Sequence, residues 1–364
     1  MKYVIDETKK IPAYLQLYMQ VRDDIIKGIF PFESKLPSKR VLASEVGLSL
    51  VTVEHSYALL CDEGYAESRE RSGYFVVFRN GDGFVTIPKN REDVVFEKVK
   101  KASTETEFPF SVLAKTMRRI ITDMDKSILD RSPNLGCLNL RMAICNYLAA
   151  SQGIIAGVEQ IIIGSGSEYL YTLLVELLGR NKVYAIESPS YKKIEQVYVA
   201  SDVKLQKLPL GNDGIESSAL IQCNADVLHV SPYRSYPSGV TATATKRHEY
   251  IRWAEKEVRY IIEDDFESEF SISQKTVETL FSHSPKENVI YMNTFSKTVS
   301  PSFRIGYMVL PKELALQFEK KLGFLSCTVP TYIQCVMAEL LVNGDFERHI
   351  NRVRRKKRKE NEKK

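Results

Sequence analysis

A single lysine, Lys297, follows the apolar run VIYMNTF, flanked by the hydroxyls of Thr294, Ser296 and Thr298 and followed seven residues later by Arg304. An amine held near a strand end can condense with an aldehyde. A guanidinium and neighbouring hydroxyls suit a phosphate. Earlier in the chain, EQIIIGSGS runs from a strand-like segment into Gly166-Ser167 and then a helical pattern. Free backbone N–H groups and the helix dipole would there face an anion. Asp264 and Asp265 close the run YIIEDD. A carboxylate at that place can keep a pyridine nitrogen protonated, so that the ring withdraws electrons. Tyr191, in SPSY, offers a ring for stacking. Alone, each piece has an ordinary reading: a surface lysine, a turn, a loop. Together, and in this order along one chain, they carry more than any one does alone.

These groups need a scaffold that brings strand ends together. From Phe108 onward short apolar runs alternate with helical patterns: EQIIIG, KVYAIES, ADVLHV, RYIIED, NVIYMNT and GYMVLP, with KKIEQVYVA and TKRHEYIRWAEKE among the helices. Such alternation predicts an α/β domain with a largely parallel sheet and helices on both faces. Ligands gather at the carboxyl ends of such strands, and the polar motifs sit there.

Residues 1–78 read as a separate unit. PAYLQLYMQVRDDIIKGIF has apolar residues at helical spacing (Leu17, Val21, Ile25) and ends near Gly28. A second helix follows Ser38 as N-cap, carries Leu42 and Val46, and stops at Gly47. A third follows Ser49, with Val53, Tyr57 and Leu60 on one face and Gly64 at its end. YAESRERSGYFVV then alternates like a two-stranded ribbon turning near Arg71-Ser72-Gly73. Two short helices and a ribbon predict a winged helix-turn-helix, whose second helix offers its first residues to base edges while the wing touches phosphates.

LPSKRVLA, GLS-x-x-TV, EGY and RSGYFV together resemble the DNA-binding domain of the GntR family. The resemblance implies that Ser38, Arg40, Ser49, Thr52, Arg71, Ser72 and Gly73 approach double-stranded DNA. Two departures stand out. Leu50 occupies a position usually arginine or another polar residue, and it continues the Val53/Tyr57/Leu60 stripe, which would make it core. Glu54 stands where some members are basic. Residues 49–60 contain no Lys or Arg, and residues 1–78 hold ten basic and eleven acidic side chains.

The large domain resembles fold-type I aminotransferases, which are pyridoxal 5′-phosphate (PLP) enzymes. FPF at 108–110, G-x-x-x-LR at 136–141, GSGS, SPSY, YPSG, EDDF and TFSK-x-x-x-P-x-x-R-x-G fall in that family's order. With the winged helix in front, nearly the whole chain resembles the MocR subfamily of bacterial regulators. The resemblance implies that Lys297 forms the Schiff base and Asp264 faces the pyridine nitrogen. Ser165, Gly166, Ser167, Thr294, Ser296 and Arg304 would hold the phosphate, and Tyr191 would stack. Phe266 stands where the family usually has a tyrosine reaching the cofactor's phenolic oxygen, and Arg234 where it has a histidine. Family members also continue past HINRVRRKKRKENEKK into a further lobe with a carboxylate-binding arginine, so the resemblance implies an aminotransferase-like domain over 108–364 that is C-terminally incomplete, either because the sequence is a fragment or because the natural protein lacks the small lobe. The expected function is a PLP-dependent transcriptional regulator that senses an amine or amino acid, acting as a homodimer. The alternative is a working aminotransferase with a DNA-binding domain in front.

Composition fits this reading. At 364 residues the chain is too long for one ordinary domain, and 44% hydrophobic with 27% charged residues suits a sizeable core. Residues 79–107 mix Gly, Pro and charge and read as a linker. MKYVIDETKK lacks the apolar stretch of a signal peptide, and no long charge-free apolar segment follows, so a cytoplasmic, non-membrane protein is expected. The six cysteines form no CxxC pair and have no histidines at metal spacing, so no metal is expected. Of the net charge of +5, the stretch from Arg352 onward supplies +7 and the remainder carries −2, so overall basicity is a property of the tail.

Overall fold

In the front unit, α1 (Ala13–Ile26) buries Leu17, Tyr18, Val21 and Ile25, the stripe that its 3.6-residue repeat places on one side. Ser38 caps α2 (Lys39–Val46), its hydroxyl accepting from the Val41 N–H at 3.3 Å, and Gly47 ends it at φ 72°. Ser49 caps α3 (Leu50–Asp62) in the same way, accepting from the Thr52 N–H at 3.2 Å. Strands β1 (Ala66–Arg69) and β2 (Gly73–Val76) pair antiparallel, with Arg69 opposite Gly73. Val53, Tyr57 and Leu60 of α3 are buried with Leu17, Val21, Leu42 and Val76 in one core. The Tyr57 hydroxyl is satisfied there, donating to the Pro37 carbonyl at 2.8 Å. Leu50 does not join them: it is 44% exposed. It lies one turn before Val53 and off the buried face, so its expected place in the core is corrected.

The computed structural model describes residues 3–6, 8, 11–79, 108–266, 268–271, 278–284 and 287–361. The expected linker, beyond Arg79, lies outside the described residues. By internal contacts the chain divides into Met1–Lys100 and Lys101–Lys364.

The large unit begins with α4 (Phe110–Met124) and α5 (Leu138–Gln152). It continues through β3 (Ile161–Gly164), α6 (Ser167–Leu178), β4 (Val183–Ser188), α7 (Lys192–Ala200), β5 (Lys204–Pro209) and α8 (Ser217–Ile221). Then come β6 (Val227–Val230), α9 (Ala244–Glu255), β7 (Tyr260–Asp264), β8 (Val289–Thr294), β9 (Gly306–Val309), α10 (Lys312–Leu322), α11 (Thr331–Val342) and α12 (Asp345–Asn361). The sheet order is β3-β9-β8-β7-β6-β4-β5. Strands β5, β4, β6, β7 and β8 run parallel, and β9 is antiparallel to both its neighbours. Strand β5 is not evident in the sequence. KLQKLP carries two lysines because it lies at the sheet edge, where charge blocks further pairing.

Helices cover both faces. Tyr291 and Tyr307 pack with Leu140, Val336, Phe346 and Ile350 from α5, α11 and α12, whereas Ile290, Met292 and Met308 pack with Leu170, Leu174 and Phe318 from α6 and α10. All six residues of β8 are buried, which is why its first four, Val289–Met292, form an apolar run. Beyond Thr294 the chain leaves the sheet, but Phe295, Val299, Phe303 and Ile305 are buried in the first of these cores. Each such side chain contributes about 1.5–3 kcal/mol of burial. They pin the loop between β8 and β9, so Ser296, Lys297 and Arg304 are carried on fixed backbone.

Candidate functional site

The carboxyl ends of β7 and β8 and the start of α6 open onto a cavity of about 360 Å³. Gly166, Ser167, Tyr191, Asp264, Phe266, Thr294, Ser296, Lys297 and Arg304 all line it. Of the residues expected from sequence, Ser165 is not in the lining; its carbonyl accepts from Arg304 Nη2 at 3.2 Å. Thr298, which seemed to crowd the lysine, is fully buried away from the cavity. Arg234 is exposed and outside the lining, while Tyr236, two residues on, faces the cavity and meets Tyr191 edge-on with ring centres 6.1 Å apart.

The two adjacent aspartates have different surroundings. Asp265 is turned into the protein, accepting from the Ser268 N–H at 3.1 Å, the Ser268 hydroxyl at 2.5 Å and the Tyr291 hydroxyl at 2.8 Å. Burial raises its pKa. Asp264, at the last position of β7, lines the cavity. Its Oδ2 accepts from the Tyr171 hydroxyl and lies 3.5 Å from His229 Nε2, while Oδ1 is buried without a hydrogen-bond partner. His229 is held in turn by the Tyr198 hydroxyl, 2.7 Å from Nδ1. Burial, first, and the neighbouring Asp264 charge hold the Tyr171 hydroxyl firmly in its protonated form, so it acts as the donor. A buried carboxylate oxygen without a partner is costly, and a cationic or N–H group would satisfy it.

The loop after β8 brings the Arg304 guanidinium to the start of α6. Gly166, at φ 89°, precedes α6, and a Cβ there would lie 3.0 Å from Arg304 Nη2. Only a glycine lets the guanidinium come this close to the helix start. Arg304 Nη2 also donates to Glu168 Oε2 at 3.1 Å, and Lys193 Nζ reaches Glu168 Oε1 at 2.5 Å. Partial burial would raise the Glu168 pKa, but the Lys193 hydrogen bond and Arg304 outweigh it and hold the acid down at about 2. Lys297 Nζ stands 4.3 Å from the centre of the Phe266 ring, within cation–π range.

Glu168, Tyr171, Lys193, His229 and Tyr236 were not singled out from sequence. Two signals were present. His229 interrupts a strand that is otherwise wholly apolar, and Glu168 sits in the first turn of the helix expected to bind an anion. Tyr171 carried no signal, because a tyrosine on a buried helix face reads as core.

In the front unit, Arg40, Ser49, Arg71, Ser72 and Gly73 lie on α2, at the start of α3 and in the ribbon turn, and Ser38 and Ser49 double as helix caps. Arg40 and Arg71 are exposed, and Thr52 is half-buried with its hydroxyl 2.8 Å from Ser49 Oγ. Glu54 is paired with Lys39 at 2.5 Å. Among the described residues no helix is long and apolar enough to cross a membrane, and no group of His, Cys, Asp and Glu is arranged to hold a metal ion.

Comparison with known proteins covers both units. The family "Bacterial regulatory proteins, gntR family" matches residues 13–76, and "Aminotransferase class I and II" matches residues 94–363. YdeL of Bacillus subtilis, an uncharacterized HTH-type transcriptional regulator, is 31% identical over 98% of this chain and 79% of its own length. The probable rhizopine catabolism regulatory protein MocR of Rhizobium meliloti is 28% identical over 97% of this chain and 76% of its own. Among solved structures, an archaeal alanine:glyoxylate aminotransferase superposes with a TM-score of 0.61 at 23% identity, covering 66% of this chain. This chain spans 62% of that protein's length, and the likeness is one of fold. The chain belongs to the aminotransferase class I and II family and, with its gntR-type front domain, to the MocR subfamily of HTH-type transcriptional regulators.

Proposed function

We propose that this regulator binds duplex DNA through its front unit and holds PLP in the cavity of its large unit, as the receptor for a small amine or amino acid. The relatives are transcriptional regulators, which favours a sensor over a working aminotransferase. The observation that carries the reading is one cavity lined at once by Asp264, whose buried Oδ1 has no hydrogen-bond partner, by Lys297, and by Gly166, Ser167 and Arg304. These residues fit the cofactor: a cationic ring nitrogen satisfies Asp264 Oδ1, and a phosphate suits the helix start beside Arg304.

Bound there, the cofactor supplies an aldehyde that takes up amines and a ring that draws electrons from them. Lys297 would hold the aldehyde through its amine. Asp264, oriented by the Tyr171 hydroxyl and by His229, stabilises a proton on the ring nitrogen. Arg304 and the N–H groups at the start of α6 bind the phosphate, with the Thr294 and Ser296 hydroxyls as further donors, and Tyr191 stacks on the ring. Phe266 offers no hydroxyl, which removes a hydrogen bond worth about 1 kcal/mol. We further propose a homodimer, in which amine uptake changes how two front units meet DNA.

The test combines a chemical and a binding readout. Wild type and Lys297→Ala are incubated with PLP, reduced with borohydride and digested, and the adduct is located by mass spectrometry. Gel-shift titrations follow on promoter DNA, with and without PLP and candidate amines. An adduct on Lys297, absent from the variant, and DNA binding that responds to an amine are expected. A wild type without an adduct rejects the cofactor; DNA binding indifferent to PLP and to every amine rejects sensing. Release of an oxo acid over many turnovers would favour the aminotransferase instead.

A further inference from the structure

The outward face of α3 is unusual for a helix that reads DNA. Leu50 is 44% and Val51 69% exposed, and residues 49–60 include no Lys or Arg. The polar groups beside the two aliphatics are already engaged. Ser49 and Thr52 bond to each other at 2.8 Å, Lys39 neutralises Glu54 at 2.5 Å, and the His55 ring lies against Tyr14 with centres 5.2 Å apart. The cations of this unit lie instead on the flanks. Arg40 is exposed on α2, Arg71 is exposed at the ribbon turn with φ 57°, and Lys35 and Arg69 flank the Phe75 ring at 5.9 and 4.4 Å. Charge thus lies on the flanks, and aliphatic carbon is exposed at the start of α3.

In the major groove every base edge presents polar atoms, and thymine alone adds a methyl group beside its O4 acceptor. Aliphatic side chains pressed on the polar edges of guanine, adenine or cytosine would strip water from them without replacing its hydrogen bonds. Against a methyl they gain apolar burial. We infer that Leu50 and Val51 are specificity residues that recognise thymine by its 5-methyl group, so that the preferred DNA site carries thymine under the start of α3. This rests on the DNA-binding reading and adds to it the chemistry of the bases read.

The experiment uses the full chain with PLP present. It selects a preferred duplex from a random-sequence pool, and the thymines of that duplex are then replaced one at a time by 2′-deoxyuridine, which lacks only the methyl. Binding is titrated at one fixed salt concentration. Wild type is expected to bind about fourfold more weakly for each contacted methyl removed. The double variant Leu50→Ala/Val51→Ala, truncated only at exposed positions, should bind the thymine and deoxyuridine duplexes alike and keep wild-type affinity for unrelated DNA, because its charge is unchanged. A wild type indifferent to every replacement overturns the inference, as does a double variant that retains the full penalty. Selection of no preferred sequence, with salt-dependent binding to all duplexes, overturns it while leaving DNA binding intact. Failure to bind any duplex at low salt rejects the DNA-binding reading itself.

Discussion

Replacing Glu168 by glutamine should tighten phosphate binding. The carboxylate sits in the first turn of α6 between Arg304 Nη2, at 3.1 Å, and Lys193 Nζ, at 2.5 Å. Held down at about 2 against the pull of burial, it stays ionised at any working pH. The seat therefore offers an incoming phosphate two cations less one fixed anion. At a separation of about 6 Å and an effective dielectric constant of roughly 40–80, that anion costs each phosphate charge about 1 kcal/mol. Glutamine keeps an oxygen for Arg304 or Lys193 and removes the charge. A gain of about fivefold to thirtyfold in PLP affinity follows, read by absorbance titration of the cofactor-free protein. Three controls define the cause. Inorganic phosphate should compete better against the variant than against wild type. Pyridoxal, which lacks the phosphate, should bind both alike. The gain should shrink as salt rises, because both Glu168 and Arg304 are partly exposed. Unchanged or weaker PLP binding by Glu168→Gln would refute the argument and make Glu168 a support that positions Arg304.

Gly166→Ala places a Cβ 3.0 Å from Arg304 Nη2 at a backbone φ of 89° and ψ of 174°; it should lower the melting temperature, costing about 1–3 kcal/mol, and weaken phosphate competition while pyridoxal binding persists. Glu187 is buried and accepts from the Ser235 hydroxyl at 2.6 Å, and burial lifts its pKa from 4.5 to about 7. Between those values the folded protein holds a proton that the unfolded chain has lost, so stability falls as pH rises through this window and levels off above it. The change is about 3 kcal/mol, and Glu187→Gln should flatten that part of the curve of melting temperature against pH.

The sequence made the winged helix and the main cavity lining legible because both depend on residue type at fixed spacing. Ser38 and Ser49 cap helices by local hydrogen bonds, and Gly47 ends one by its positive φ, so a few residues suffice to place each element. Gly166, Asp264, Lys297 and Arg304 stand at strand or helix ends, where a parallel sheet collects them. What sequence did not yield depends on long-range packing. The Tyr171 hydroxyl reaches Asp264 across 93 positions of chain, and Arg304 reaches Glu168 across 136. Leu50 failed for the opposite reason: its spacing matched the core stripe, but as the first residue of its helix it lies past the edge of the packed face. β5 escaped because an edge strand buries little and carries lysines.

Binding an amine and transforming it make different demands on such a site. Binding needs a tether, an anion seat and a partner for the ring nitrogen. In the proposed reading Lys297, the Gly166–Arg304 seat and Asp264 would meet those demands, with Asp264 held by Tyr171 and beside His229. Transformation also requires control over the oxygen beside the reacting carbon. At the position where the resemblance implies a tyrosine hydroxyl, Phe266 turns an apolar ring toward Lys297. That substitution leaves the anion seat and the Asp264 network untouched, since Phe266 contributes to neither. Affinity for the cofactor and rate of chemistry are thereby separable: Phe266→Tyr should restore a hydrogen bond of about 1 kcal/mol near the reacting centre while scarcely changing phosphate competition. If amine uptake by the tyrosine variant, followed by absorbance, quickens and the phosphate competition curve stays in place, the site has kept reception and shed reactivity. Equal rates in both proteins would show that Phe266 has no part in the distinction.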